Sequence, residues 1–256
     1  MSELTITQII GVPLIQPGDN IAKIIFDAIK NQNTKIEEGN ILVVTSKIIS
    51  KAENRLRNIS EVSTSENANI IGAATFRDPR LVELILSESN EVVRATRQAI
   101  IVEHHSGFIC ANAGIDHSNV RGNYGNNDDW YLLLPEDSDR SANIIREYFL
   151  EKTGINVGVL IVDSHGRPWR KGTVGAVIGV SNVPAIVDLR GHTDIFGYKL
   201  RISEVAAADE LAGAASLMMG QADEMIPAVL IKGFPYALRS SSTQELLRTK
   251  NSDLFR

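Results

Sequence analysis

The chain is poor in the residues that mark several common protein classes. It has one cysteine, Cys110, and eight prolines among 256 residues, and aromatic residues make up 5%. A single thiol excludes an internal disulfide and a cysteine-rich zinc site, and it favours a reducing compartment. The longest uncharged stretch, residues 172–187, contains Asn182 and Pro184 and falls short of the ~18 apolar residues of a membrane span. The composition predicts a globular protein that does not cross a membrane.

An excess of positive charge is also absent. The 26 basic and 31 acidic residues give a formal net charge of −5, so no overall positive field draws the chain to nucleic acid or acidic lipid. Any anionic ligand must be held by local clusters of basic residues. The N-terminus, Met1-Ser2-Glu3, lacks the basic-then-apolar order of an export signal. We expect no nucleic-acid partner, no membrane partner and a cytoplasmic location.

Apolar runs of strand length alternate with helical patterns, which predicts an α+β fold of mixed sheets with flanking helices. Ile41–Thr45 is one such strand, and good helix formers follow it directly. Asp19 is placed to cap the first helix. Residues 116–129 are polar and rich in glycine and asparagine, as in a long functional or mobile loop. No linker or repeat divides residues 1–256, so we expect a single unit.

Familiar nucleotide and metal motifs are missing. The chain has no Gly-x4-Gly-Lys-Ser/Thr loop, no Gly-x-Gly-x-x-Gly after a strand and no His-Glu-x-x-His. The P-loop, dinucleotide-binding and zincin interpretations therefore have no support. The candidate residues are spread over several segments instead.

One candidate is the acidic residue that follows the most continuous apolar run. Residues 157–162 predict a strand that ends in Asp163, and Ser164 comes next. A carboxylate beside a hydroxyl suits Mg²⁺ or Mn²⁺, which prefer oxygen ligands and commonly bind substrate phosphates. The alternative is that Asp163 only caps a turn.

A basic segment follows immediately. Arg167, Arg170 and Lys171 place three cations within five residues, and such a group can grip phosphates or carboxylates. The alternative is a solvated basic loop. Our hypothesis is that these three side chains hold an anionic substrate.

A second aspartate has a similar setting. Residues 107–111 predict a strand that leads through small residues to Asp116, with Asn119 three residues further on. Asp116 and Asp163 are expected to converge on one metal site. Cys110 is interpreted as a buried, inert thiol, and the adjacent His104-His105 as surface residues because neighbours in a strand point in opposite directions.

Two further segments complete the candidates. Lys47 and Lys51 lie four residues apart on a predicted helix and hence on one face, near its N-terminus, where an anion is favoured. They form a phosphate-site candidate. Residues 220–224 follow an alanine-rich helix over 203–219 and contain two acids and a glutamine; they are either an exposed acidic turn or the completion of a metal site.

Taken together these segments resemble the coenzyme F-420-0:L-glutamate ligases, or γ-glutamyl ligases, which act in the biosynthesis of a deazaflavin redox coenzyme. Six segments appear in the family's order over roughly residues 8–235, and six in order are specific where one alone would be weak. The matching segments are residues 44–53, 78–86, 107–120, 133–137, 163–170 and 220–227.

The resemblance implies a GTP-dependent ligase that joins L-glutamate to the lactyl carboxylate of a deazaflavin phosphodiester and then adds γ-linked glutamates, through an acyl phosphate. It implies Asp116, Asp163 and Lys51 as catalytic residues. Two divalent cations, Mg²⁺ or Mn²⁺, are implied at Asp116, Asp163, Ser164 and Gln221, and K⁺ is a further candidate. The implied GTP site comprises Gly11, Val12, Pro13, Leu14, Ser46, Lys47, Lys51, Asn119, Met219, Gly220, Gln221, Ala222, Asp223, Glu224, Met225 and Ile226.

The family pattern is not matched everywhere. Ser164 stands where threonine is common and preserves the hydroxyl, whereas His117 and His165 stand where other residues are expected. The resemblance also implies an intertwined homodimer, with residues 1–256 forming one catalytic unit of up to two intertwined subdomains. The ~20 residues after Tyr236 leave no room for the nitroreductase-like C-terminal domain that some relatives carry.

Two other functions use the same residue types. A metal-dependent phosphohydrolase or nucleotidyl transferase needs the aspartates and cations but takes water or a phosphate as acceptor. A non-catalytic nucleotide-binding module binds GTP without turnover. Glutamate-dependent GDP release separates the ligase from both.

Overall fold

A computed structural model describes residues 3–122 and 124–254 of the chain. Six α-helices and twelve strands lie within these ranges. The helices are α1 (Ile21–Asn31), α2 (Ser46–Ala52), α3 (Glu66–Thr75), α4 (Pro79–Ser87), α5 (Ser138–Thr153) and α6 (Ala207–Met219). The strands are β1 (Thr5–Gln8), β2 (Ile41–Thr45), β3 (Leu56–Asn58), β4 (Ser89–Ala95), β5 (Ile100–His104), β6 (Ile109–Ala111), β7 (Trp130–Leu132), β8 (Gly158–Arg167), β9 (Arg170–Ser181), β10 (Val187–Asp188), β11 (Glu204–Val205) and β12 (Ala228–Lys232).

The largest sheet has five strands in the order β1-β12-β2-β8-β9. Strands β2 and β8 are parallel, with Ile41 opposite Gly158 and Thr45 opposite Val162, and the other pairs are antiparallel. Strand β2 and the first half of β8, residues 158–162, are buried on both faces, which agrees with their continuous apolar sequence. The predicted α+β fold of mixed sheets is confirmed.

Helices cover both faces of this sheet. Leu42 and Val44 of β2 face a core formed with α1, α2 and α5, while Ile41 and Val43 face a second core formed with α6. This alternation follows from the two-residue period of a strand. The two cores make the sheet a rigid base for whatever its edges carry.

Two glycines of β9 let the helices approach closely. A Cβ at Gly175 would collide with the backbone of Ala212 in α6, and a Cβ at Gly179 would collide with the backbone of Ser138 in α5. A register shift between these positions allows the two glycines to face opposite helices, since a bulge reverses which side a residue faces. The packing of both helices therefore requires glycine at both positions.

A smaller region is built from α3, α4 and the three-stranded sheet β4-β5-β6, with its own core around Val82, Ile85 and Ile100. The segment that leaves β6 runs to Asp116, whose backbone pairs with that of Leu132 in β7. Two short ribbons, β3-β7 and β10-β11, complete the sheets of the described residues.

Several local predictions are corrected. The N-cap of α1 is Asn20, whose side chain accepts from the Lys23 N–H, because Asp19 bonds the Gln16 N–H instead. Strand β8 does not end at Asp163: pairing with β9 carries it on to Arg167. The alanine-rich helix begins at Ala207 rather than at residue 203, since residues 204–205 pair with β10.

His104 is not a surface residue. Its side chain is 4% exposed and its ring stacks on that of Phe108, with ring centroids 5.0 Å apart. The alternation of β5 turns His104 to the same interior side as Ile100 and Val102, whereas His105 is exposed and bonds Asn90 and Ser87. Only one of the two histidines follows the prediction.

None of the helices in the described ranges has both the length and the apolar character that crossing a bilayer requires. Helix α1, for example, is amphipathic: Ile25 and Ile29 are buried and Lys23 is exposed.

Candidate active site

A cavity of about 960 Å³ opens where β2 ends beside β8. This is the carboxyl edge of the parallel pair, the usual place for a ligand in such a sheet, and the volume is that of a small-molecule site. Its walls come from the loop at residues 12–17, the start of α2, residues 116–122, the middle of β8 and the segment 219–227.

Asp163 lies in the wall formed by the sheet. Its Oδ1 accepts a hydrogen bond from the Ser46 hydroxyl at 2.9 Å, and its Oδ2 is 3.2 Å from His165 Nε2. That second contact lacks the alignment of a hydrogen bond. Burial by itself raises the pKa of the Asp163 carboxyl, but His165, the Ser46 hydroxyl and the Ser164 N–H outweigh it and bring that pKa below its ordinary value.

Asp116 lies in the facing wall, on the segment that leaves β6. Its Oδ2 is 3.2 Å from Lys47 Nζ. Burial raises the pKa of the Asp116 carboxyl, Lys47 opposes that shift, and the negative charge of Asp163 adds to it. The two carboxylates therefore repel each other across the cavity, and a cation between them relieves that repulsion.

Ser164 and Gln221 meet at the same cavity. The Ser164 hydroxyl donates to Gln221 Oε1 at 2.7 Å, which ties β8 to the segment after α6. All four predicted metal ligands thus line one cavity. Within the described ranges no three His, Cys, Asp or Glu side chains are placed to share a metal ion, but the predicted set has only two carboxylates, with a hydroxyl and an amide oxygen. Such an all-oxygen set suits Mg²⁺ or Mn²⁺.

Lysines of α2 hold the facing wall in place. Lys47 Nζ donates to the Ser118 carbonyl at 3.0 Å, and Lys51 Nζ donates to the Asn119 carbonyl at 2.9 Å. Burial and the neighbouring Lys47 charge lower the pKa of Lys51, and Asp116 opposes that shift. Asn119 Nδ2 donates in turn to the Ala222 carbonyl at 2.9 Å, so this wall is joined to the segment after α6.

The predicted nucleotide residues lie together with two exceptions. Gly11 and Ser46 do not line the cavity, and Ser46 is buried against Asp163 instead. Sequence reasoning missed several lining residues, including Arg121, because a single cation in a polar loop carries no motif. The predicted residues that do line the cavity are Val12, Pro13, Leu14, Lys47, Lys51, Asn119 and residues 219–226.

The basic segment lies elsewhere. Arg167, Arg170 and Lys171 are at the tip of the long β8-β9 hairpin and are absent from the cavity lining. An Arg167 guanidinium nitrogen donates to the Lys171 carbonyl at 3.2 Å, as in a hairpin turn. Their role as substrate ligands stays a prediction, and within one subunit the geometry does not bring them to the cavity.

A second groove of about 570 Å³ differs in its charges. Arg190 is paired with Asp188 and Glu204, and Arg239 is paired with Glu245. Since these charges neutralise one another, the groove offers no free charged group among its named pairs.

Cys110 is buried and its pKa is raised to about 12 by burial, which confirms the interpretation of an inert thiol.

Comparisons with known proteins agree over most of the chain. The family model described as F420-0:Gamma-glutamyl ligase matches residues 9–233. A Coenzyme F420:L-glutamate ligase of Methanothermobacter thermautotrophicus is 44% identical over 96% of this chain and 96% of its own length. Proteins of the same name from Methanopyrus kandleri and Archaeoglobus fulgidus are 40% identical over 100% of both chains and 39% identical over 96% of this chain and 94% of the relative.

Proposed function

The chain belongs to the F420-0:gamma-glutamyl ligase family, and from this membership we propose that it joins L-glutamate to a deazaflavin precursor of coenzyme F420 with consumption of GTP. The observation that carries the proposal is the placement of Asp116, Asp163, Ser164 and Gln221 around one cavity beside the two lysines of α2.

The chemistry needs an activated carboxylate, because a carboxylate is a poor electrophile. In the proposed first step a precursor carboxylate oxygen bonds to the γ-phosphorus of GTP, the bond to the β–γ bridging oxygen breaks, and an acyl phosphate and GDP result. In the second step the neutral glutamate amine bonds to the acyl carbon, phosphate leaves, and the amine loses a proton. Further γ-linked glutamates follow by the same two steps.

The charges of the cavity support the proposal that divalent cations take part. Its lining carries three cationic side chains and four carboxylates, so it does not by itself attract a triphosphate. Asp116, Asp163, Ser164 and Gln221 would hold two divalent cations, Mg²⁺ or Mn²⁺, whose positive charge would screen the phosphates from the approaching carboxylate. Lys47 and Lys51 add positive charge on the same side. K⁺ is a further candidate cation. The seven charged side chains of the cavity lining are Lys47, Lys51, Arg121, Asp116, Asp163, Asp223 and Glu224.

The nucleoside part of GTP is proposed to lie between two less polar segments. Leu14 on one side and Met225 on the other are both exposed and both line the cavity. Apolar side chains of this kind favour the faces of a base, and residues 219–226 border the same space.

The test is to incubate the purified protein with GTP, a divalent cation, L-glutamate and the precursor, and to weigh the product by mass spectrometry. The expected product is heavier by one or more glutamyl residues, and GDP is released over many turnovers only when both precursor and glutamate are present. GDP release with water as acceptor would instead indicate a phosphohydrolase, and GTP binding without turnover would indicate a binding module.

We also propose a homodimer, in line with the family resemblance. Three large apolar side chains on the arm between β10 and β11, Ile195, Phe196 and Ile202, are 91%, 88% and 88% exposed, and Trp169 at the β8-β9 tip is 83% exposed. Exposed apolar groups of this size favour burial against another protein surface. Light scattering is expected to give twice the chain mass, and charged substitutions at Phe196 and Ile202 are expected to shift the protein toward the monomer.

A further inference from the structure

The cavity contains two charged side chains that the proposed chemistry leaves without a partner. Five of its seven charged lining groups are engaged within the chain, but Arg121 and Asp223 make no hydrogen bond or ion pair with any residue of the described ranges, nor with each other. The engaged groups are Lys47 with Asp116, Lys51 with the Asn119 carbonyl, Asp163 with Ser46 and Glu224 with the Ala222 N–H.

The backbone around Arg121 is held from both sides. On one side the Asn119 carbonyl accepts a hydrogen bond from the Lys51 ammonium, and the Asn119 side-chain amide donates to the Ala222 carbonyl. On the other side the Trp130 indole packs so closely on Gly122 that any Cβ there would collide with it. The guanidinium is therefore presented from a fixed point on the cavity wall, which reduces the entropy lost when it binds a ligand.

Asp223 follows Ala222, whose carbonyl accepts the hydrogen bond from the Asn119 side chain. The resemblance places Asp223 among the GTP residues, but its exposed carboxylate repels phosphate and favours a cationic or N–H partner on the ligand. Arg121 requires an oxyanion, which its planar guanidinium binds through two parallel hydrogen bonds. A ligand with both an ammonium and a carboxylate satisfies the two together.

We propose that Arg121 and Asp223 form the subsite for the acidic amino acid that the ligase adds, with Arg121 on one of its carboxylates and Asp223 on its amino group. This inference rests on the proposed function, and it names the part of the cavity that holds the acceptor.

The first test measures kinetic constants of the full chain for all three substrates. Arg121→Ala and Asp223→Asn are each expected to raise KM for L-glutamate at least tenfold and to change KM for GTP and for the precursor less than twofold. Arg121→Lys keeps the charge and is expected to recover part of the loss. Arg94→Ala, an exposed arginine of β4 outside the cavity, is the matched control and should change none of them.

The second test identifies the carboxylate. Wild-type enzyme is expected to discriminate against both L-glutamine, which lacks the γ-carboxylate, and the α-amide of glutamate, which lacks the α-carboxylate. Arg121→Ala is expected to lose one of these two discriminations and to keep the other. If Arg121→Ala discriminates among the acceptors as the wild type does, Arg121 does not bind the amino acid.

The remaining outcomes contradict the subsite. A rise in KM for GTP or precursor alone after Arg121→Ala would assign the guanidinium to a phosphate. Use of xanthosine triphosphate in place of GTP by Asp223→Asn would assign the carboxylate to the N–H edge of guanine. Calorimetry of L-glutamate binding, with a non-hydrolysable GTP analogue and Mg²⁺, separates the two proposals: binding that the variants lose supports the subsite even without turnover, and no binding to the wild type overturns it.

Discussion

The two walls of the cavity hold their aspartates in different ways. Asp163 belongs to β8, which is paired on both sides by β2 and β9, and its pKa is lowered once Ser46, Ser164 and His165 outweigh burial. Asp116 belongs to a segment that extends from the smaller region, and burial raises its pKa. Asp163 is held within a continuous backbone ladder, whereas Asp116 is held by one backbone bridge to Leu132 and by side-chain bonds from α2. The position of Asp163 is therefore fixed by the central sheet, whereas that of Asp116 depends on a single backbone bridge and a few side-chain contacts.

Removing the sheet-borne carboxylate is the strongest test of this comparison. Asp163→Asn is expected to lower the proposed ligase activity by at least roughly 100-fold, because the cavity loses the negative charge of a proposed cation ligand. Activity assays together with Mn²⁺ binding by calorimetry check this, with circular dichroism unchanged. Asp128→Asn, an exposed acid outside the cavity lining, is the control. If Asp163→Asn kept the activity of the wild type over a range of Mg²⁺ or Mn²⁺ concentrations, Asp163 would be excluded from the site.

A methyl group tests the rigidity of the sheet-borne wall. Gly179→Ala is expected to lower the free energy of unfolding by roughly 2 kcal/mol, because its Cβ meets the backbone of Ser138, which cannot move independently of α5. Urea unfolding measures the change. Gly166→Ala in β8, where no atom lies within 4 Å of the added Cβ, should be close to neutral, and equal losses in both variants would refute the packing argument.

The smaller region is expected to be the pH-sensitive one. Burial lowers the pKa of His104 to about 4, with the charges of His105, Arg55 and His165 adding to the shift. The unfolded chain, with an ordinary histidine pKa near 6.5, therefore binds the proton more readily than the folded chain between these values. The free energy of unfolding is expected to fall by about 2 kcal/mol between pH 8 and pH 5.

Unfolding of wild type and His104→Phe across this pH range checks the origin of the effect, and the variant should show a smaller slope. Hydrogen exchange adds the spatial test. Amides of β5 and β6 should lose protection at pH 5 before those of β2 and β8. Loss of protection in the central sheet first would contradict the assignment to His104.

The smallest expected effect concerns the hydrogen bond from Lys51 to the Asn119 carbonyl, which holds the segment that follows Asp116. Lys51→Ala removes a cation of the proposed nucleotide site and the bond to the Asn119 carbonyl, and it should raise KM for GTP about tenfold. Steady-state kinetics measure it, with Lys30→Ala on α1 as the control. An unchanged KM would remove Lys51 from the nucleotide site.

Local patterns predicted most of the elements because each pattern reports on its own segment. The strand at Ile41–Thr45 and the helix directly after it both appear as expected. The end of β8 was not predictable in the same way, because pairing with β9, and not the residues after Asp163, extends it to Arg167. His104 was misjudged for a related reason: only the packing of β5 on α4 decides which side of the strand is interior.

The order of polar and apolar residues along the chain was enough to predict the α+β class and to single out Asp116 and Asp163 as candidate site residues. Both predictions depend on periodicity and short motifs, which involve only a few neighbouring residues. Only the tertiary structure decided that Asp116 and Asp163 face one cavity, that Arg121 and Asp223 are left unpaired there, and that the basic hairpin tip is elsewhere. These facts depend on contacts between residues as far apart as Ser46 and Asp163 or Asn119 and Ala222. No local pattern records such contacts, because they form only when distant segments pack together.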